Sequence, residues 1–171
     1  MWPIFRAHYL HDIFMRNEDF IKHRIVEESQ NLLDAEFYFP VFFMISRGIE
    51  TLGAFLDKKP LAAKSQSKKR FHLAIDQLFE KKYQELTERD WLYKQFRCNM
   101  SHLVSSGGFI ILASRNENKG EHLQVIDGQR LFVVETLVED FHKACHKLIY
   151  LFAKGEIKQK NMALSEISSH S

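Results

Sequence analysis

The scarcity of residues that interrupt regular structure constrains this chain most. Only three prolines and seven glycines occur among 171 residues, whereas there are 15 phenylalanines. So few turn-forming residues leave room for long, regular elements, against which bulky aromatic side chains can pack. This pattern favours helices over a β-sandwich. A length of 171 residues with 45% hydrophobic residues fits one domain with a substantial core.

Apolar residues recur at helical spacing in three regions of the chain. We predict predominantly helical structure over residues 18–56, 70–102 and 135–154. Residues 57–68 between them mix charges, Pro60 and serines without an apolar period, which is typical of a loop. The closing helix has apolar anchors at Leu137, Phe141, Leu148, Leu151 and Phe152.

The segment from about residue 108 to residue 134 has a different pattern. Residues 109–113, 122–126 and 130–134 have the composition of short strands, and Asp127-Gly128 is a tight-turn signal. The sequence therefore predicts a small β-hairpin or three-stranded meander inserted before the last helix. We expect one mainly helical domain over residues 1–160, with residues 161–171 as a flexible C-terminal tail.

Charge, cysteine usage and the N-terminus restrict the partners and the compartment. The net charge is only +2, which gives no global argument for nucleic-acid or membrane binding. Cys98 and Cys145 lie in predicted helices, which indicates reduced thiols. The N-terminus lacks a secretory signal pattern, and the most apolar stretch, residues 37–45, is too short to span a bilayer. We expect a cytoplasmic protein that does not enter a membrane.

Several signatures of cofactor and metal chemistry are missing from the sequence. It has no glycine-rich phosphate loop, no Cys/His metal spacing and no nucleophile elbow. His142 and His146 are four residues apart, a spacing that can bind a metal, but a solvated helix face explains it better. We therefore expect no metal and no cofactor.

Three polar residues at the end of an apolar helix are the strongest functional signal. Arg97, Asn99 and His102 lie within six residues. Histidine accepts and donates protons near neutral pH, and arginine supplies a fixed cation for the charge that develops on phosphorus. Together these residue types suit metal-independent cleavage of RNA by its own 2′-hydroxyl. On a regular helix Arg97 and His102 lie roughly 140° apart, so they would meet in a loosened final turn or across the two-fold axis of a homodimer.

A structural interpretation of the same residues stays open. Arg97 and His102 near a helix C-terminus interact favourably with the negative end of its dipole.

The most basic stretch of the chain includes Lys68, Lys69 and Arg70. These residues are candidates for contacts with RNA phosphates, although a solvated, charge-rich connector has the same composition.

The pattern Arg-x-x-x-x-His at the end of a helix resembles the motif of the HEPN superfamily. Residues 92–102 also resemble a group of uncharacterised bacterial proteins with a Tyr-x-x-x-Arg-Cys-x-x-x-His segment. The resemblance implies an antiparallel helical bundle, RNA binding, and a metal-independent endoribonuclease that acts as a homodimer. It assigns Arg97 as the cation that contacts phosphate and His102 as the general acid or base.

The resemblance also suggests supporting residues and a departure from the family. Glu50 is a candidate polar partner from an earlier helix, and Asn99 is a second supporting polar residue. Cys98 stands where active relatives often have Asn, Asp or His directly after the arginine. Many superfamily members are non-catalytic, so the alternative function is a helical interaction or scaffold domain. The sequence identifies no protein partner.

Overall fold

Helices dominate the computed structural model, which describes residues 15–102 and 108–162 without the side chains of Ser101 and His102. In this part of the chain the helices are α1 (the consecutive segments Asn17–Phe20, Ile21–Val26 and Glu27–Asp34), α2 (Tyr38–Leu56), α3 (Ser67–Leu78), α4 (Lys81–Gln84), α5 (the consecutive segments Tyr93–Cys98 and Asn99–His102) and α6 (Val134–Ala153). A 3₁₀ helix, Glu85–Asp90, lies between α4 and α5. The three strands are β1 (Ile110–Ala113), β2 (Val125–Ile126) and β3 (Gln129–Val133). The predicted mainly helical architecture with a small β insert is confirmed.

The three strands form one sheet with β3 in the centre. β3 pairs antiparallel with β2, so the predicted hairpin around Asp127-Gly128 is correct. Asp127 and Gly128 have φ values of 49° and 78°, which a tight two-residue turn requires. β1 pairs with β3 in parallel, so the predicted meander is wrong, because a meander joins successive strands antiparallel.

The path of the chain between β1 and β3 explains the parallel pairing. In a meander β3 also runs in the same direction as β1, but β2 lies between them. Here residues 114–124 carry the chain past the position next to β1, so β2 lies at the far edge and β3 takes the central position, in the order β1-β3-β2. The second predicted strand, residues 122–126, shortens to two residues because His122 and Leu123 turn out of the extended conformation. Leu123 has a φ of 69°, and the His122 side chain accepts a hydrogen bond from the backbone of Val133.

Helix α2 occupies the centre of the helical packing and contacts α1, α3, α5 and α6. Ile45, Ile49 and Leu52, which share one helical face, are 0–1% exposed. A Cβ atom on Gly53 would lie 1.7 Å from the carbonyl oxygen of Arg70. The backbones of α2 and α3 therefore approach so closely that position 53 has no space for a side chain.

The core helix α2 is also the most apolar helix of the described chain. Among the described residues it alone is long and apolar enough to cross a membrane by length and composition, and 56% of its most apolar window is buried within the fold. The core helix of a globular fold passes the same test.

Residues after α6 return along the fold to the C-terminal end of α2. The Lys160 ammonium donates hydrogen bonds to the carbonyl oxygens of Ala54 at 2.6 Å and Lys59 at 2.7 Å, and to that of Asp57. The backbone of Lys160 also exchanges two hydrogen bonds with the Asn17 side chain. These contacts join the chain end to α1 and α2. Residues 163–171 of the predicted flexible tail lie outside the described residues.

Candidate functional site

An ion pair between Arg97 and Glu50 lies where α5 meets α2. Arg97 donates from Nε and Nη2 to the same Glu50 carboxylate oxygen, Oε2, at 2.8 and 2.5 Å. Arg97 is only 7% exposed, so a carboxylate is needed to compensate its charge there. The structure thus brings together Arg97 and the polar partner suggested for it, although 47 residues separate them in the chain.

Two hydroxyl groups extend this pair into what we call the Glu50 cluster: Glu50, Ser67, Tyr93 and Arg97. Ser67, the first residue of α3, donates from Oγ to Glu50 Oε2 at 2.8 Å. The Tyr93 hydroxyl donates to Ser67 Oγ at 3.0 Å, and the Arg97 guanidinium lies 5.7 Å from the centre of the Tyr93 ring. Within the described part of the chain, Arg97 Nη1 and Glu50 Oε1 make no hydrogen bond. Arg97 Nη1 and Glu50 Oε1 are therefore the groups of the cluster through which we consider a ligand contact.

A groove of about 420 Å³ borders the cluster on the α2 side. Arg47, Glu50 and Thr51 form its polar wall. The remaining lining residues are Phe20, Ala54, Phe55, Leu61, Arg70 and Met162. The Arg47 side chain is 48% exposed, and its Nη1 lies 4.0 Å from Glu50 Oε2. Two arginines, Arg47 and Arg97, thus flank one carboxylate.

The other residues of the predicted motif lie further along α5. His102 is the last residue of α5 that the structure describes, and its side chain lies outside the described residues. Asn99 donates to Gln95 Oε1 at 3.3 Å, one turn back on the same helix, so this bond does not join it to the Glu50 cluster. Arg97 lies in a π-helical segment, Tyr93–Cys98. The angle of roughly 140° between Arg97 and His102 assumed a regular α-helix, and a π-helical turn changes it.

The basic stretch at the start of α3 is largely neutralised by carboxylates. Arg70 is 5% exposed and donates to Asp57 at 3.2 Å and to two loop carbonyls at 2.8 and 2.6 Å. Lys68 pairs with Asp90 at 3.1 Å, and Lys69 lies 3.6 Å from Asp57. Burial alone would raise the pKa of Asp57, but hydrogen bonds and nearby cations, Arg70 foremost, hold it below its ordinary value. Arg70 therefore fastens the loop after α2, while both lysines keep exposed side chains.

A second polar chain joins the β insert to the helices. Because the Val133 N–H donates to His122 Nδ1 at 3.0 Å, the His122 proton resides on Nε2. Nε2 lies 2.9 Å from the Tyr83 hydroxyl and donates to it, and Tyr83 in turn donates to Asp140 at 3.0 Å. Lys82 also contacts Asp140, at 2.6 Å. His122 lies in the second predicted strand, whose composition does not indicate this network, and the sequence signal for it is Asp140 on an apolar helix face.

Burial and charge set the protonation of this network. Burial, with a contribution from the charge of Lys82, lowers the pKa of His122 to about 4, although Asp140 opposes the shift. Burial also raises the pKa of Tyr83, and Asp140 adds to that effect. At neutral pH the network therefore consists of a neutral imidazole, a neutral phenol and a carboxylate.

The described residues contain no group of three or more His, Cys, Asp or Glu side chains that could hold a metal ion. His142 Nε2 lies 2.8 Å from the Ser29 hydroxyl, and burial lowers the pKa of His142. Cys98 is a half-buried free thiol and Cys145 a buried one; burial raises the pKa of the latter.

Comparison of this chain with protein-family models, curated proteins and solved structures gives no match.

Proposed function

We propose that this chain is an HEPN-like RNA-binding domain that acts as a homodimer, and that Arg97 and His102 give it a metal-independent endoribonuclease activity. One observation carries the proposal: Arg97 is fixed by two hydrogen bonds to Glu50 on the helix that also carries His102. A cation held in one orientation before the ligand arrives is what stabilisation of a developing phosphate charge requires.

The proposed chemistry assigns one task to each residue. The 2′-hydroxyl of the RNA loses its proton to a base and attacks the adjacent phosphorus, and the bond to the 5′-oxygen breaks. The leaving 5′-oxygen takes a proton from an acid, and the product ends in a cyclic phosphate. His102 acts as acid or base, with the second role supplied by His102 of the other copy in the homodimer, and Arg97 contacts the phosphate through Nη1.

The second candidate function is a non-catalytic helical interaction domain, and the burial of Arg97 favours it. Arg97 is 7% exposed, and Glu50 already compensates its charge. In this interpretation the pair only holds α5 against α2. The hydrogen bonds of Ser67 and Tyr93 then complete a polar contact among three helices.

RNA cleavage by purified variants decides between the two functions. Wild type, Arg97→Ala and His102→Ala are incubated in EDTA with structured and single-stranded RNA, alongside His146→Ala, an exposed histidine on α6, as the matched control. Since general acid–base catalysis contributes about 10²–10⁴-fold, His102→Ala should lose at least about a hundredfold in rate while His146→Ala keeps the wild-type rate. Arg97→Lys retains the charge without the planar fork, so it should recover only part of the activity lost in Arg97→Ala.

Three results would count against the proposal. Cleavage that survives both Arg97→Ala and His102→Ala would place the activity elsewhere, and a wild type that cleaves no RNA would favour the interaction domain. Thermal melts of each variant separate lost chemistry from lost folding. Light scattering that finds only monomers at tens of micromolar would remove the shared site of the homodimer.

A further inference from the structure

We infer that the groove beside Glu50 is a nucleotide-binding subsite that takes one nucleotide of the bound RNA, with its phosphate at Arg47 and its base against the apolar lining. This inference rests on the proposed RNA function and assigns a place to the nucleotide next to the Glu50 cluster. The groove volume of about 420 Å³ lies in the range of small-ligand sites, roughly 300–1,000 Å³.

The charges around the groove select an anion. Arg70 is neutralised by Asp57, so it adds no net charge. Arg47 and Arg97 share the single carboxylate of Glu50, which leaves one positive charge at the polar wall. The Arg47 guanidinium makes no hydrogen bond to any described residue, and its ion-pair contact at 4.0 Å is a loose one. Its planar fork of donors is therefore available to a phosphate.

The rest of the lining selects a ligand with a planar apolar body. Phe20, Leu61 and Met162 are partly buried and line the groove with Ala54. A nucleobase placed there buries its faces against aromatic and aliphatic carbon, and stacking on an aromatic ring contributes about 1–3 kcal/mol per base.

A hydrogen-bond acceptor in the polar wall, Glu50, favours a nucleotide over other amphipathic anions. Glu50 Oε2 accepts from Arg97 and Ser67, whereas Oε1 accepts no hydrogen bond from the described residues. A ribose offers a 2′-hydroxyl donor next to its phosphate, and a fatty acid offers none. Because the 2′-hydroxyl distinguishes RNA from DNA, the same oxygen gives the subsite a preference for RNA.

Calorimetric titration of the full chain tests the subsite with four probes: AMP, adenosine, an eight-nucleotide oligoadenylate RNA and its deoxy counterpart. Thr51→Phe fills the groove from α2. Arg47→Ala removes the cation of the groove. The control Arg115→Ala removes an arginine outside the groove whose side chain is 53% exposed, close to the 48% of Arg47. Thermal melts confirm that each variant is folded.

We expect Thr51→Phe to abolish AMP binding and Arg47→Ala to weaken AMP and RNA binding about tenfold or more, since a hydrogen bond to a charged group is worth about 1.5–3 kcal/mol. Arg115→Ala should bind as wild type does. Adenosine should bind more weakly than AMP, and the deoxy oligomer more weakly than the RNA.

The outcomes separate this inference from the proposed function. RNA binding and cleavage that are unchanged in both Thr51→Phe and Arg47→Ala would overturn the subsite and leave the function standing. If the protein binds AMP and Thr51→Phe removes that binding, but the protein neither binds nor cleaves RNA, then the groove is a site for free nucleotides. This result would overturn the RNA assignment. A wild type that binds none of the four probes would refute the subsite outright.

Discussion

Mild acid should loosen the attachment of the β insert to the helices through His122. Its Nδ1 accepts the Val133 N–H, so a proton can enter this position only if that hydrogen bond breaks. The imidazolium would lie near the ammonium of Lys82, and Asp140 compensates it only in part. Burial, with a contribution from the charge of Lys82, lowers the pKa of His122 to about 4 in the folded protein, against about 6.5 in an unfolded chain.

The sign and size of the effect follow from this difference in pKa. The folded state binds the His122 proton more weakly than the unfolded state, so the stabilisation is fully present above about pH 6.5 and declines as the pH falls. At pH 5 the free energy of unfolding should be lower than at pH 8 by about 2 kcal/mol, and below pH 4 by about 3 kcal/mol. These are large fractions of a total stability of about 5–15 kcal/mol.

Urea unfolding followed by circular dichroism at pH 8 and pH 5 measures the effect in wild type and His122→Asn. The Asn side-chain oxygen can still accept the Val133 N–H, and the residue does not titrate. Burial also lowers the pKa of His142, but His142 contributes equally to both proteins, so their difference isolates His122. The pKa of Asp140 is below its ordinary value, which places its loss of stability at lower pH. If both proteins lost the same stability between pH 8 and pH 5, the reasoning would be refuted.

Two further predictions concern the C-terminal half of α2 and the loop that follows it, one about packing and one about hydrogen bonds. Gly53→Ala should lower the free energy of unfolding by about 3 kcal/mol or more, because its Cβ would lie 1.7 Å from a backbone oxygen of α3. Urea unfolding measures this loss. The control Gly108→Ala, whose Cβ meets no described atom within 4 Å, should have a free energy of unfolding close to that of wild type. Lys160→Met keeps the apolar stem but leaves three carbonyl oxygens without their donor, so thermal unfolding should shift down by about 5 °C or more. The exposed control Lys158→Met should show no such shift, and equal midpoints for the two lysine variants would contradict the capping role.

The helices could be predicted from the sequence because their evidence is local. The spacing of Ile45, Ile49 and Leu52 along α2 specifies a buried face without knowledge of what covers it. The pairing of β1 with β3 is not local, because it depends on how residues 114–124 return the chain. His122 fixes part of that return by binding the Val133 backbone, a contact that strand composition cannot indicate.

The residues of the candidate site likewise differ in how far the local sequence indicates their roles. The motif directed attention to Arg97, and the family resemblance suggested Glu50. The roles of Ser67 and Tyr93 required the packing of α3 and α5 against α2, because isolated hydroxyl groups occur throughout the sequence. For Arg70 the local sequence indicated a different role from the one that the structure shows. Its place in a basic stretch suggested a phosphate contact, whereas its guanidinium donates hydrogen bonds to the loop carbonyls of residues 60 and 61.

The pairing of Arg97 with Glu50 is compatible with both candidate functions for a physical reason. A buried guanidinium needs a compensating charge whether or not it ever contacts RNA, so the ion pair must exist in the free protein. The pair uses Nε and Nη2 of Arg97, so a phosphate bound at Nη1 would leave both hydrogen bonds intact. Because the fork is already ordered, phosphate binding there would avoid most of the side-chain entropy that an exposed arginine loses. The same two hydrogen bonds that hold α5 to α2 would then also prepare Arg97 for its ligand.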